Sequence, residues 1–221
     1  MEIDSTSEPK RPPGRPKDQA LQERRRGEIL DQAADAFAKH GYANTDVQWI
    51  SDALSVSKGT IYRYFPSKED LFLAAVRRGV ERLYEHIAVA KRDKVDSLDT
   101  ITAAVVAYLQ FFKANPQLVE LFIQERSLFR DGRKPVFFEH RDAKRGPFRQ
   151  LVARLMENGV IREMPVERFI DVLGDVLYGT MFTNFFAGRD KPFESQAQDI
   201  LDLVFFGALS DEERARRKQN Q

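Results

Sequence analysis

Thr45-Asp46-Val47-Gln48-Trp49-Ile50-Ser51-Asp52-Ala53-Leu54-Ser55-Val56-Ser57-Lys58-Gly59-Thr60-Ile61-Tyr62-Arg63-Tyr64-Phe65-Pro66-Ser67-Lys68 is the stretch that decides the fold. It reads as two short helices joined by a tight turn. Thr45 followed by Gln48 fits a capping box, and Val47, Ile50 and Leu54 are spaced for one buried face. Ser57 is a good N-cap for the second helix, whose apolar Ile61 and Phe65 stand four apart. Its other side carries Lys58, Thr60, Tyr62 and Arg63, and Gly59 in the first turn lets another surface approach the backbone. Pro66 ends that helix, and Ser67 with Asp70 starts the next, whose N-terminus beside Lys68 is a ready phosphate site. Two short helices of this kind present the second to the major groove of DNA, as a helix-turn-helix.

Outward from this stretch the pattern becomes more specific. Ile29-Leu30-Asp31, Ala33-Ala34, Phe37, Gly41-Tyr42 and Thr45 precede it. Val47, Ile50, Ala53, Val56 to Tyr62 and Tyr64-Phe65 lie within it, and Ser67-Lys68-Glu69 with Leu71-Phe72 close it. With these residues, positions 24 to 72 resemble the DNA-binding domain of the tetracycline-repressor (TetR/AcrR) family. The resemblance implies an all-α dimer, each chain with a three-helix DNA-binding head carrying the helix-turn-helix and a larger helical body for ligand binding and dimerisation. It also implies that Lys58, Gly59, Thr60 and Arg63 face base edges, with Ser57 at the head of their helix. Thr45, Tyr62, Tyr64 and Lys68 hold phosphates in the same scheme. The turn departs from the family's Ala-Gly-Val, reading Leu54-Ser55-Val56. Serine at a glycine position of positive φ costs roughly 1 kcal/mol. Ser51 stands where the family usually has Ala at a close helix contact.

Composition narrows the function classes. A chain of 221 residues suits a small and a larger domain, and its net charge of +1 makes no global electrostatic demand for nucleic acid. The absence of cysteine excludes disulfides, thiolate catalysis and cysteine-ligated metals. No apolar run is long enough for a bilayer and the amino terminus has no signal-peptide core, so a cytoplasmic protein without a membrane partner is expected. His40, His86 and His140 are scattered, no nucleophile elbow or phosphate loop is present, and Asp171 with Asp175 reads as a solvated helix face. The expectation is therefore no enzyme, no cofactor and no metal.

Residues 1 to 23 read as a disordered basic arm. Lys10-Arg11-Pro12-Pro13-Gly14-Arg15-Pro16-Lys17 resembles an AT-hook, with Arg11, Gly14, Arg15 and Lys17 as minor-groove candidates. Residues 24 to 72 form the head, 73 to 210 the body and 211 to 221 a charged tail. Helix one is expected over Arg24 to His40 and helix four from Lys68 to about Val89. Helix five is expected over Leu98 to Ala114, and helix six from Asn115-Pro116 to near Phe129. Helix seven should begin near Pro135 and break at Gly146-Pro147, helix eight should run from Pro165 to near Gly188, and helix nine from Phe193 to Leu209.

The body is rich in aromatic residues, a composition suited to a small-molecule cavity. Phe112, Phe122 and Phe182 are the candidate walls, and Gln124, Glu125, Arg126, Asn184 and His140 the candidate polar contacts, for an effector of unknown identity and largely apolar character. Helices eight and nine are apolar around more of their circumference than a one-sided helix requires. Val176, Met181, Leu201, Val204 and Phe205 are the candidate homodimer contacts. The expected function is a DNA-binding regulator, a repressor released from a double-stranded operator by its effector. The alternative is a ligand-independent DNA-organising protein built on the same head and arm.

Overall fold

The computed structural model describes residues 19–94, 97–129, 132–189 and 191–207. Within them the chain is helical: α1 (Gln19–Asn44), α2 (Val47–Ala53), α3 (Lys58–Tyr64), α4 (Lys68–Ala90), α5 (Leu98–Ala114), α6 (Pro116–Leu128), α7 (Val136–Ala143), α8 (Arg145–Glu157), α9 (Val166–Ala187) and α10 (Phe193–Phe206). The all-α expectation holds. The AT-hook-like segment, with Arg11, Gly14, Arg15 and Lys17, lies outside the described residues, as does the tail from residue 208.

Most boundaries agree with the sequence reading, and the exceptions have local causes. Residues 19 to 23, assigned to the arm, are the first helical turn of α1, where Gln19 pairs with Glu23 and Arg24 with Glu28 across single turns. α1 continues past His40 to Asn44, but Gly41 at φ 77 breaks its regular path. The break expected at Gly146-Pro147 falls two residues earlier, at Lys144, and Gly146-Pro147 occupies the first turn of α8, where proline costs no hydrogen bond. α10 stops at Phe206 because Gly207 takes φ 72.

The turn between α2 and α3 shows how the chain closes without the usual glycine. Val56 N–H bonds to Ser51 C=O at 3.0 Å and Ser55 N–H to Asp52 C=O at 3.1 Å, a Schellman arrangement. Its left-handed position is Ser55, at φ 51, alone among the described non-glycine residues in having positive φ. Ser51 is fully buried and returns its hydroxyl to Gln48 C=O at 2.8 Å, so it fills an alanine's place without an unsatisfied group.

α4 ties the two ends of the molecule together. It packs on α1 on one side and on α5 and α7 on the other, while α1 also packs on α6. One continuous apolar cluster runs from Ile29 and Phe37 through Phe72 and Val80 to Ile101, Leu121, Leu155 and Leu201. Burying each large side chain contributes roughly 1.5–3 kcal/mol. Where α6 meets the head, Phe37, Tyr42, Phe72 and Phe129 pack ring against ring, mostly edge to face, with neighbouring centroids 5.2 to 6.2 Å apart. Asp31 of α1 receives both Nε and a terminal nitrogen of Arg78 from α4 at 2.8 and 2.9 Å, a fork geometry that fixes the angle between these helices.

Candidate nucleic-acid interface and body cavity

α3 is seven residues long and is held from one side only. Ile61 is fully buried and Phe65 nearly so, which fixes the helix against the head's core. Its N-terminus is capped by Ser57, whose Oγ accepts from Thr60 N–H at 3.1 Å and lies 2.9 Å from Thr60 Oγ. Gly59, Tyr62 and Arg63 are exposed on the outer side. A Cβ built on Gly59 would find nothing nearer than the Ser57 hydroxyl at 3.8 Å, so the protein's own packing does not require glycine there. Lys58 Nζ donates to Asp46 at 2.9 Å. Asp46 is the N-cap of α2, and the Gln48 N–H and the Lys58 ammonium hold its carboxyl below the usual aspartate value. Because this pair is exposed, releasing Lys58 to another acceptor costs little.

Two predicted phosphate contacts have other work. Thr45 is buried at 2% exposure, and its hydroxyl donates to Gly41 C=O at 2.7 Å and Ala36 C=O at 3.2 Å. It locks the end of α1 and offers nothing to an outside partner; Asp46, not Thr45, caps α2. Lys68 donates to Ala43 C=O at 3.1 Å, with its ammonium 4.9 Å from the Tyr42 ring, and partial burial lowers its pKa. Tyr64 is half-buried against the core, with the Arg63 guanidinium 5.7 Å from its ring. Trp49 on α2 was missed. It is 49% exposed and meets His40 edge-on at 5.0 Å, off the Val47–Ile50 face, a position that helical spacing could have revealed.

The head's sequence has a known counterpart. Residues 29–75 match the family model described as bacterial regulatory proteins, tetR family. The head of the chain thus carries a domain of the tetR family type. The HTH-type transcriptional activator FasR of Mycolicibacterium smegmatis is 33% identical over 100 residues, which is 45% of this chain and 46% of FasR. The nucleoid occlusion factor SlmA of Actinobacillus pleuropneumoniae is 28% identical over 94 residues, 42% of this chain and 46% of SlmA. The match thus spans about half the length of these relatives. The fold likeness is broader: the transcriptional regulator FadR from Bacillus subtilis, solved in complex with stearoyl-CoA, superposes with a TM-score of 0.69, covering 83% of this chain and 99% of FadR at 17% identity.

The body opens between α4, α5, α7, α8 and α9, around a cavity of about 720 Å³. That volume lies in the range of small-molecule sites. Ile87, Ile101, Val105, Tyr108, Phe137, Ile170, Leu173 and Leu177 supply apolar walls, and Gly174 leaves space in one of them. Burial pushes the Tyr84 hydroxyl up to about 12 and the Tyr108 hydroxyl well above its ordinary value, so both stay neutral. His140 packs 5.5 Å from Tyr84.

None of the seven ligand candidates in Sequence analysis other than His140 lines this cavity. Phe112 and Phe122 are core rings, 6.1 Å apart, and Phe182 meets Tyr178 edge-on at 5.0 Å. Arg126 is exposed and Asn184 donates to Gln196 at 2.8 Å. Gln124 and Glu125 bond in opposite directions. Gln124 Oε1 accepts from Tyr42 N–H at 2.8 Å and its Nε2 donates to Phe37 C=O at 3.0 Å, spanning the Gly41 break. Glu125 Oε1 accepts from Val136 N–H at 2.9 Å at the start of α7; the carboxylate is buried, and burial raises its pKa. Aromatic content told which residues could fill a core, but not where packing leaves it open.

The candidate dimer contacts also divide. Met181 and Leu201 are 2% and 3% exposed, buried in the protomer's own core, and are withdrawn from an outer face. Val204 and Phe205 pack half-buried against that core. Val172, Val176 and Phe186 on α9, with Leu203 and Phe206 on α10, are the exposed apolar residues there.

Proposed function

We propose that the chain is a dimeric transcriptional regulator that holds a double-stranded operator through α3 and releases it when a small molecule fills the body cavity. The observation that carries the reading is the one-sided anchoring of α3: Ile61 and Phe65 fasten it, while Gly59, Tyr62 and Arg63 are exposed on the outside. On this reading Lys58, Gly59, Thr60 and Arg63 face base edges, and the Tyr62 hydroxyl reaches a phosphate. The dimer forms through Val172, Val176 and Phe186 of α9 and Leu203 and Phe206 of α10. It sets two α3 helices about one turn of DNA apart, roughly 34 Å. The basic arm enters the flanking minor groove; deleting residues 1 to 17 then weakens A·T-flanked sites more than G·C-flanked ones.

Release needs a physical route from cavity to head, and α6 provides it. Phe137 and His140 on α7 touch the cavity; Glu125 of α6 holds the first amide of α7, and Gln124 beside it holds the break in α1. A ligand that displaces α7 therefore acts through α6 on the segment that orients α2 and α3. A tenfold loss of operator affinity needs about 1.4 kcal/mol of coupling, within the reach of a few such contacts. The SlmA relative favours the other reading, a ligand-independent DNA organiser; the cavity favours the regulator.

Gly59→Ala tests the DNA half. Adding a methyl to an open helix position should stabilise the fold by roughly 0.5–1 kcal/mol. It should weaken operator binding, measured by fluorescence anisotropy on sites selected from random DNA. Unchanged or tighter binding would remove α3 from the interface.

A further inference from the structure

The rim of the cavity is charged, and the charges are not all answered. Arg145 directs its terminal nitrogen to Asp171 and Glu167, yet its Nε–H is buried with no hydrogen-bond partner. The ammonium groups of Lys91, at the C-terminal cap of α4, and Lys144, between α7 and α8, have no ion pair or hydrogen bond among the described residues. Two ammonium groups thus border the cavity without a partner among the described residues, while the Arg145 guanidinium is held by Asp171 and Glu167. Carboxylates are present too. Asp171 is engaged by Arg145, and Glu81 with Glu85, nearer the start of α4, lies in the field of the Arg78 guanidinium. The apolar walls of Ile101, Val105 and Leu173 line the rest.

We propose that the effector is an amphiphile with a negatively charged head: the head is held by Lys91 and Lys144, and the apolar part lies against α5 and α9. The claim rests on the cavity being the regulator's ligand site, and it replaces the largely apolar effector expected from sequence. Two unpaired ammonium groups at the rim favour an anion over a neutral or cationic head of the same shape. An apolar wall alone would not distinguish them.

The experiment compares dodecanoate, dodecanol and dodecylamine, each below its micelle concentration, by isothermal titration against the full chain. Dodecanoate should bind at least tenfold more tightly than dodecanol, a difference of about 1.4 kcal/mol. In the Lys91→Ala/Lys144→Ala variant, whose changes lie at the rim and outside the core, that preference should fall to about twofold while dodecanol binding stays. Gly174→Leu, which puts a side chain into open cavity space, should weaken both. Equal binding of acid and alcohol by the wild type, or a dodecanoate preference that survives the double variant, overturns the anionic head and leaves the ligand site standing. Tightest binding of dodecylamine gives the rim to Glu81 and Glu85 and also overturns it. If none of the three binds and Gly174→Leu changes nothing, the cavity is not a ligand site, and the regulator reading falls with the proposal.

Discussion

Replacing Gln124 by Met should separate the head's orientation from its stability. The side chain keeps its length but loses both bonds across the Gly41 break, to Tyr42 N–H at 2.8 Å and to Phe37 C=O at 3.0 Å. A net hydrogen bond is worth about 1 kcal/mol, and a buried group left unpaired costs about 1–3 kcal/mol. Gln124 is half-buried, so water recovers part of that cost, and a loss of about 2 kcal/mol is expected. It should appear as a lower urea midpoint with an unchanged slope, at fixed protein concentration. The same break leads directly into Thr45 and the start of α2, whose angle sets that of α3. Operator affinity, measured on fully folded protein by anisotropy, should therefore fall about tenfold, or 1.4 kcal/mol. Gln124→Glu keeps the acceptor for Tyr42 N–H but sets a carboxylate oxygen against Phe37 C=O and the Glu120 carboxylate, to which Nε2 also donates at 3.1 Å, so at neutral pH it should lose at least as much as Met. If Gln124→Met lowers stability but leaves operator affinity and ligand release as in the wild type, the α6 route is refuted and the residue is structural.

Ser55→Gly should raise stability by roughly 1 kcal/mol, because φ 51 no longer strains a side chain; a midpoint that falls would show that the Ser55 side chain stabilises the turn. Val176→Glu with Phe206→Glu places charges on the exposed α9–α10 face, where each buried apolar side chain is worth roughly 1.5–3 kcal/mol. Sedimentation should then show monomers that bind the operator poorly, and a dimer of wild-type strength would move the interface elsewhere. Glu125→Gln keeps an acceptor for Val136 N–H and removes a carboxyl that burial holds above the usual glutamate value. For the wild type, the stability tied to the neutral acid is complete below the ordinary glutamate pKa and is lost as pH rises through the raised one. The variant should therefore gain on the wild type as pH rises to neutrality, followed by urea unfolding across that window. A constant difference at every pH would show that the folded and unfolded carboxyls titrate alike.

The head was legible because its signals are local. Ser57 and Ser67 cap the helices that follow them, Pro66 ends α3, and Ser55 takes the positive φ that the turn demands. Each is decided by backbone sterics and a hydrogen bond within a few residues. The helical spans of the body were legible for the same reason, from Pro116 and Pro165 at their starts and Gly188 at an end. Thr45 misled because a threonine before a helix looks like a cap, whereas Asp46, one residue on, took the role and left the threonine hydroxyl to the end of α1.

By itself, the sequence determined the helices, the helix-turn-helix and the outward residues of α3, since each follows from neighbours along the chain. The tertiary structure alone decided where space remains. Phe112 and Phe122 close a core, while Tyr84 of α4 and, from the later α7 and α8, His140 and Arg145 border a cavity. It also decided that Met181 and Leu201 turn inward while Val176, Leu203 and Phe206 stay outside. Apolar spacing says that a helix has a greasy side; only the packing of all ten described helices says which part of that side is already covered.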